Sequence, residues 1–218
     1  MPNKQTILDL IIAQGMLPLF YHEDKNLSLE IIRTLYKAGV KTLEYTNRGP
    51  AALENFRYFK ENLKDLPDFY LGIGTIKNTK EAQAFIDAGA DYIVCPTVNT
   101  EVGELVHSKG LMWIPGCMTP TEISQAQTAG ALLIKLFPAN ILGPGFMQAI
   151  KELFAGQNFM PTGGVEIEEN NLKTWFASGV CAVGMGSKLI TKDVLIKKDL
   201  DTLTANTIKA LSLIKSCR

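Results

Sequence analysis

Apolar residues recur along this chain in two alternating rhythms. Near the start, Ile7, Leu8, Ile11 and Ile12 share one face of a helix over 4–14, and Gly15 supplies its stop. Residues 16–21 then form a short continuous apolar run, the mark of a strand covered on both faces. The succession repeats. Leu29, Ile32, Leu35 and Tyr36 are spaced as a helix that stops at Gly39, and 40–46 is the second strand. Pro50 stands at a helix start, with Leu53, Phe56 and Leu63 on the inner face. The third strand is 69–75, and Asn78 with Glu81 resembles a capping box for a helix running to Gly89. After a fourth strand at 91–96, a helix at 101–109 and a fifth strand at 111–115, Thr119-Pro-Thr-Glu122 sets a strong helix start. That helix ends at Gly130. The remaining elements are a strand at 131–136, a helix at 146–154, a strand at 158–161, a helix at 168–177, a strand at 180–185 and a helix at 203–215.

Eight predicted strands thus alternate with helices. A short joint recurs among them: Ala38-Gly39-Val40, Ala88-Gly89-Ala90, Ala129-Gly130-Ala131 and Ser178-Gly179-Val180. Each closes a helix and opens a strand, at intervals of 41 to 50 residues that fit two βα units per repeat. The pattern predicts an α/β fold, a (β/α)8 TIM barrel with an extra N-terminal helix, as one domain over 1–218. An open doubly wound sheet would carry a Gly-rich turn after its first strand, and Tyr21-His-Glu-Asp-Lys25 is not one.

Composition narrows the function. Lysine plus arginine total 22, as do aspartate plus glutamate, so there is no basic excess of the kind that binds nucleic acid. No apolar run approaches the roughly 18 residues of a membrane span. Lys4 and Asp9 flank an amphipathic pattern rather than an export signal. The four cysteines are scattered, without a C-x-x-C pair, and the two histidines lie far apart. We therefore expect a cytoplasmic protein with buried free thiols, no metal centre and a small-molecule partner.

The candidate chemistry begins in the stretch Ala131–Leu136, where Lys135 is embedded among apolar residues and Phe137-Pro138 follows. An ammonium group placed there loses its hydration, so it must pair with an acid, reach water or shed its proton. A neutral amine on a rigid strand is the nucleophile of imine chemistry. Glu44 is embedded in a similar way. The plain expectation is a structural ion pair across the barrel, and the functional one is a pair that exchanges a proton. Chemistry in such folds sits at the C-terminal ends of the strands. Those ends carry Glu44 and Arg48, Thr75, Pro96, Thr119, Lys135, Thr162-Gly163-Gly164, and Gly184-Met-Gly186-Ser187. The last two groups would offer backbone N–H donors ahead of a short helix, as a phosphate cradle does, or else are tight turns that need glycine.

Taken together, Leu43-Glu44 to Arg48, Gly72-x-Gly-Thr75, Pro115-Gly116 with Thr119-Pro-Thr-Glu122, Lys135-x-Phe-Pro-Ala139, Pro161-Thr-Gly-Gly-Val165 and Gly186-Ser187 resemble one family in order and spacing. It is the 2-keto-3-deoxy-6-phosphogluconate (KDPG) and 4-hydroxy-2-oxoglutarate aldolases. The resemblance spans nearly the whole chain and implies a homotrimeric barrel with lysine-based aldolase activity and neither metal nor cofactor. By it, Lys135 is the Schiff-base lysine and Glu44 the general acid/base. Arg48 and Thr75 hold the pyruvyl carboxylate, and Pro96 and Phe137 wall the pocket. Thr162, Gly163, Gly164, Gly186 and Ser187 bind phosphate. The implied reaction cleaves KDPG to pyruvate and glyceraldehyde 3-phosphate. The same chemistry on the galactonate isomer or on 4-hydroxy-2-oxoglutarate, and a non-catalytic barrel binding a phosphorylated sugar acid, are the alternatives. Departures from the family pattern fall at Tyr45, Asn47, Cys95, Thr97, Met185 and Lys188, and bear on which sugar acid fits. Lys188 would either add charge to a phosphate site or sit solvated, and the solvated position is the expectation.

Overall fold

A computed structural model of the protein describes residues 3–218. Its strands are β1 (Met16–Phe20), β2 (Thr42–Thr46), β3 (Tyr70–Gly74), β4 (Tyr92–Val94), β5 (Met112–Ile114), β6 (Gly116–Cys117), β7 (Leu133–Leu136), β8 (Asn158–Pro161) and β9 (Val183–Met185). All pairings are parallel. Six strands curl in the order β5-β4-β3-β2-β1-β9, and three more in the order β6-β7-β8. Pro115 separates β5 from β6, and an isolated bridge links Thr162, just after β8, to Gly184 of β9. The architecture is α/β, with a curled parallel sheet whose strands are joined through helices.

The observed β5 lies within the fifth predicted strand, 111–115, and past Pro115 the chain enters β6, which the sequence did not predict. Proline has no N–H to donate. Before it, the chain pairs with β4; its own carbonyl then accepts from Lys135 N–H at 2.9 Å, and β6 pairs with β7.

Ten helices accompany the strands among the described residues: α1 (Lys4–Gln14), α2 (Lys25–Lys37), α3 (Ala52–Asn62), α4 (Thr79–Asp87), α5 (Thr100–Ser108), α6 (Pro120–Thr128), α7 (Ala139–Ile150), α8 (Glu169–Ala177), α9 (Lys192–Lys197) and α10 (Leu200–Ser216). Most boundaries follow the polar punctuation of the sequence. Asn78 caps α4, and Thr119 and Glu122 form the complete capping box of α6. The expected helix over 146–154 is displaced. Helical turns begin at Ala139, break at Gly143, whose φ is 69°, and end at Ile150. Pro144 begins the second piece just after that break, where proline is tolerated. The short helix expected after the last strand is α9, and the final helix starts at Leu200 rather than 203.

Two apolar clusters follow from strands that are buried on both faces. The larger one packs helices against the outer face of the strands. The smaller fills the concave side with Leu17, Tyr92, Val94, Met112, Ile114, Leu133 and Met160, and α1 covers its end with Ile7, Leu8 and Ile11. With one end of the concave side plugged by side chains, polar groups on it gather toward the C-terminal ends of the strands. No helix among the described residues is long and apolar enough to cross a membrane.

Because Thr119 and Glu122 satisfy each other's backbone donors, Thr119→Ala should lower stability by about 1 kcal/mol. Urea unfolding followed by circular dichroism measures it, and an unchanged midpoint would show that the box contributes nothing.

Candidate active site

Glu44 on β2 and Lys135 on β7 belong to different sheets, yet their side chains meet above the smaller core. Lys135 Nζ lies 3.8 Å from Glu44 Oε1, with the two side chains 7% and 1% exposed. Strand parity places them there. Lys135 is two residues on from Leu133, which faces the concave cluster, and Glu44 stands beside Gly72 in the β2–β3 register.

The carboxylate needs space that only glycine leaves. A methyl group at Gly74 would fall on Glu44 Oε1, and one at Gly72 would fall on the ring of Tyr92. The Gly72-x-Gly74 pattern is therefore the imprint of two side chains lying across β3. Thr75, next along, holds a left-handed φ of 64°. A β-branched residue pays for that conformation in strain, which surrounding contacts must hold.

Neither oxygen of Glu44 has a hydrogen-bond donor among the described residues. A buried carboxylate without donors favours its neutral form. Burial accordingly raises the Glu44 pKa, while Lys135 and then Arg48 oppose the rise. A carboxyl that holds its proton more tightly than in solution is suited to both giving and taking one. Phe137 packs beside the amine, its ring centre 5.2 Å from Lys135 Nζ.

Outward from this pair opens a cleft of about 280 Å³. Arg48, Phe137, Thr162, Gly163, Gly164, Gly186 and Ser187 all line it. Gly163 and Gly164 both have left-handed φ, 103° and 76°, which turns the chain sharply after β8. Glu44, Lys135, Thr75 and Pro96 are not part of its wall. Pro96 instead backs β6, where a methyl on Gly116 would strike its carbonyl. The predicted residues thus fall into a deep pair and an outer, glycine-lined cleft.

Several lining residues carried no signal in the sequence. Leu19, Phe20 and Tyr21 come from the end of β1, and Ile190, Lys192 and Leu195 from the segment around α9. Apolar residues at a strand end look the same whether they face a ligand or a helix. Lys188 lines the cleft and pairs with Glu166 at 2.6 Å while its side chain stays 53% exposed, so it is solvated as expected and also part of the wall. Two departures from the family pattern point away from the site. Tyr45 is buried in the larger cluster, donates to the His22 carbonyl at 2.7 Å, and has its phenol pushed up to about 12 by burial. Cys95 is equally buried, accepts from Trp113 Nε1–H at 3.3 Å, and has its thiol pushed up to about 12. Neither reaches a ligand in the cleft.

Residues 8–206 match the model of the family described as KDPG and KHG aldolase. The chain belongs to that family. A 2-dehydro-3-deoxy-phosphogluconate aldolase of Treponema pallidum is 28% identical over 210 residues, covering 96% of this chain and 98% of the relative. A probable 2-dehydro-3-deoxy-6-phosphogalactonate aldolase of Rhizobium meliloti is 32% identical over 161 residues, covering 73% of this chain and 74% of its own. Among solved structures, a 4-hydroxy-2-oxoglutarate/2-dehydro-3-deoxyphosphogluconate aldolase superposes with a TM-score of 0.81 at 32% identity, covering 95% of this chain and 98% of that one. Membership in an aldolase family makes the protein a lyase. Its KDPG and KHG aldolase relatives carry three different substrate names, so the family alone leaves the substrate open.

The Glu44 shift has a consequence for stability. Its pKa is higher in the folded chain than the ordinary 4.5, so the folded state binds the proton more tightly. Stability is therefore greatest where Glu44 is protonated in both states, and falls as pH climbs from about 4.5 through the raised folded value. Urea unfolding of wild type and Glu44→Gln between pH 4 and 8 should show the variant gaining on wild type as pH rises. A constant difference across that range would mean that the carboxyl is not perturbed.

Proposed function

We propose that the protein is a class I aldolase that cleaves 2-keto-3-deoxy-6-phosphogluconate to pyruvate and glyceraldehyde 3-phosphate through a Schiff base on Lys135. The observation that carries this reading is the buried, donor-free Glu44 carboxyl 3.8 Å from the Lys135 amine, beneath a glycine-lined cleft. A fold does not gain stability from such a pair, because desolvation offsets most of its attraction. Its use lies in moving a proton.

In this scheme the neutral Lys135 amine attacks the C2 ketone, the protonated Glu44 carboxyl supplies the proton with which the oxygen departs as water, and a protonated imine and a Glu44 carboxylate remain. The cation draws electrons from the C3–C4 bond. Glu44 takes the proton from the C4 hydroxyl, the bond breaks, and the aldehyde leaves. The remaining enamine takes a proton at C3, and hydrolysis returns pyruvate and the free amine. Arg48, whose planar fork matches a carboxylate, and Thr75 hold the carboxylate end of the substrate. Pro96 and Phe137 wall the reacting carbons, and Phe137 shields the amine from water. Thr162, Gly163, Gly164, Gly186 and Ser187 take the distal phosphate, the glycines through backbone N–H groups.

The same reading treats the two sheets as one closed eight-stranded barrel in a single domain. The Thr162–Gly184 bridge and the passage from β5 to β6 across Pro115 support it. Homotrimeric assembly and cytoplasmic location complete the proposal.

Pyruvate with borohydride should add the mass of a reduced pyruvyl group to Lys135. Lys135→Ala should lose both the adduct and cleavage. Glu44→Gln should keep the adduct and slow turnover by about 10²–10⁴-fold. Normal cleavage by Lys135→Ala would remove the assignment. Assays on the gluconate and galactonate isomers and on 4-hydroxy-2-oxoglutarate, with pyruvate as readout, rank the substrates.

A further inference from the structure

The outer cleft has a one-sided charge. Its ionisable cations are Arg48, Lys188 and Lys192, and no carboxylate belongs to its wall. The chain as a whole carries 22 cationic and 22 acidic side chains, so this concentration is local. Of the three, Lys188 follows directly on Gly186-Ser187. It is tied at 2.6 Å to Glu166, which follows directly on Gly163-Gly164-Val165. The pair thus joins the two glycine turns at the cleft's rim. The two side chains remain 53% and 37% exposed, and an ion pair in that setting is weakly held.

We infer that the Lys188–Glu166 pair is an exchangeable charge clamp, in which a substrate's distal dianion displaces Glu166 as the partner of Lys188 and so selects phosphorylated over unphosphorylated 2-keto acids. The inference rests on the aldolase reading of the cleft and adds to it the residue that sets the charge preference. Three observations fit together here. Lys188 forms part of the wall beside Ser187, Gly163 and Gly164. A dianion held by the turns presents twice the charge of Glu166 at the same rim. Exchanging one anionic partner for another never leaves the ammonium unpaired, so the exchange costs little desolvation. Without a distal anion, Glu166 keeps Lys188 neutralised, and an uncharged tail meets no favourable partner. Lys192 lies farther along the same wall and is not tied by an ion pair shorter than 4 Å, so it adds attraction without the exchange.

The test separates this clamp from the aldolase reading. Binding of inorganic phosphate to the full-length protein is measured by isothermal titration calorimetry, which needs no turnover. Lys188→Met should weaken it about tenfold, the scale of one charge-assisted contact, Lys188→Arg should restore most of the loss, and Glu166→Gln should tighten it. The differences should shrink as salt rises. In cleavage assays Lys188→Met should raise KM for the phosphorylated substrate more than it lowers kcat, with KM for the same sugar acid without its phosphate moving little. Phosphate binding by Lys188→Met equal to that of wild type, including no binding by either, would overturn the clamp, as would equal KM increases for both substrates. Pyruvate–borohydride labelling of Lys135 is read on every variant. Its absence from wild type would count against the Schiff-base reading, whereas intact labelling with unchanged phosphate binding would count against the clamp alone.

Discussion

A carboxyl group buried without a hydrogen-bond donor, facing an amine at 3.8 Å, is the arrangement on which the rest of this structure turns. Each group alone would be costly to bury. The two come from separate sheets, so they meet only when both sheets have formed and joined. Sequence features that look unrelated serve this meeting. Gly74 leaves room for the carboxylate, Gly72 leaves room for the Tyr92 ring below it, and Pro115 lets the Lys135 backbone pair where β5 gives way to β6. Replacing Gly74 presses on the Glu44 carboxyl itself, and replacing Gly72 presses on the Tyr92 ring.

Burial and charge grade outward from that point. The deep pair sits over apolar side chains that exclude water and hold the Glu44 carboxyl in its neutral form more strongly than solution would. The cleft above is lined by backbone turns and cations. Its depth suits covalent chemistry at a carbonyl carbon, and its rim suits recognition of charge. In the function proposed here, one molecule spans both, with its keto acid end at the amine and its anionic tail at the glycine turns. The division also explains why changes at the rim can alter which substrate is used without altering the reaction.

The order of strands and helices was legible because strands buried on both faces are apolar throughout, and because glycine and capping residues mark the helix ends. Thr119 and Glu122 did what their spacing foretold. The helix expected over 146–154 was misplaced, since helical turns begin at Ala139, are interrupted at Gly143 and end at Ile150. The short helix expected after the last strand is α9, though its six residues were too few for a period to set its bounds. Tyr45 and Cys95 drew notice as neighbours of site residues, yet adjacent residues on a strand face opposite ways, and both point into the helix layer.

By itself the sequence determined the family, the alternation of elements and the identity of the two groups at the centre, because motif spacing and an embedded charge survive in one dimension. It also held the glycines of β3, though not the reason for them. The tertiary structure decided which distant residues share a wall. It brought Tyr21, Lys192 and Leu195 to the cleft, bound Lys188 to Glu166, and left Glu44 with no donor. Those facts depend on strand parity, register and the curl of the sheets, which fix where each side chain points only after the whole chain has closed around its core.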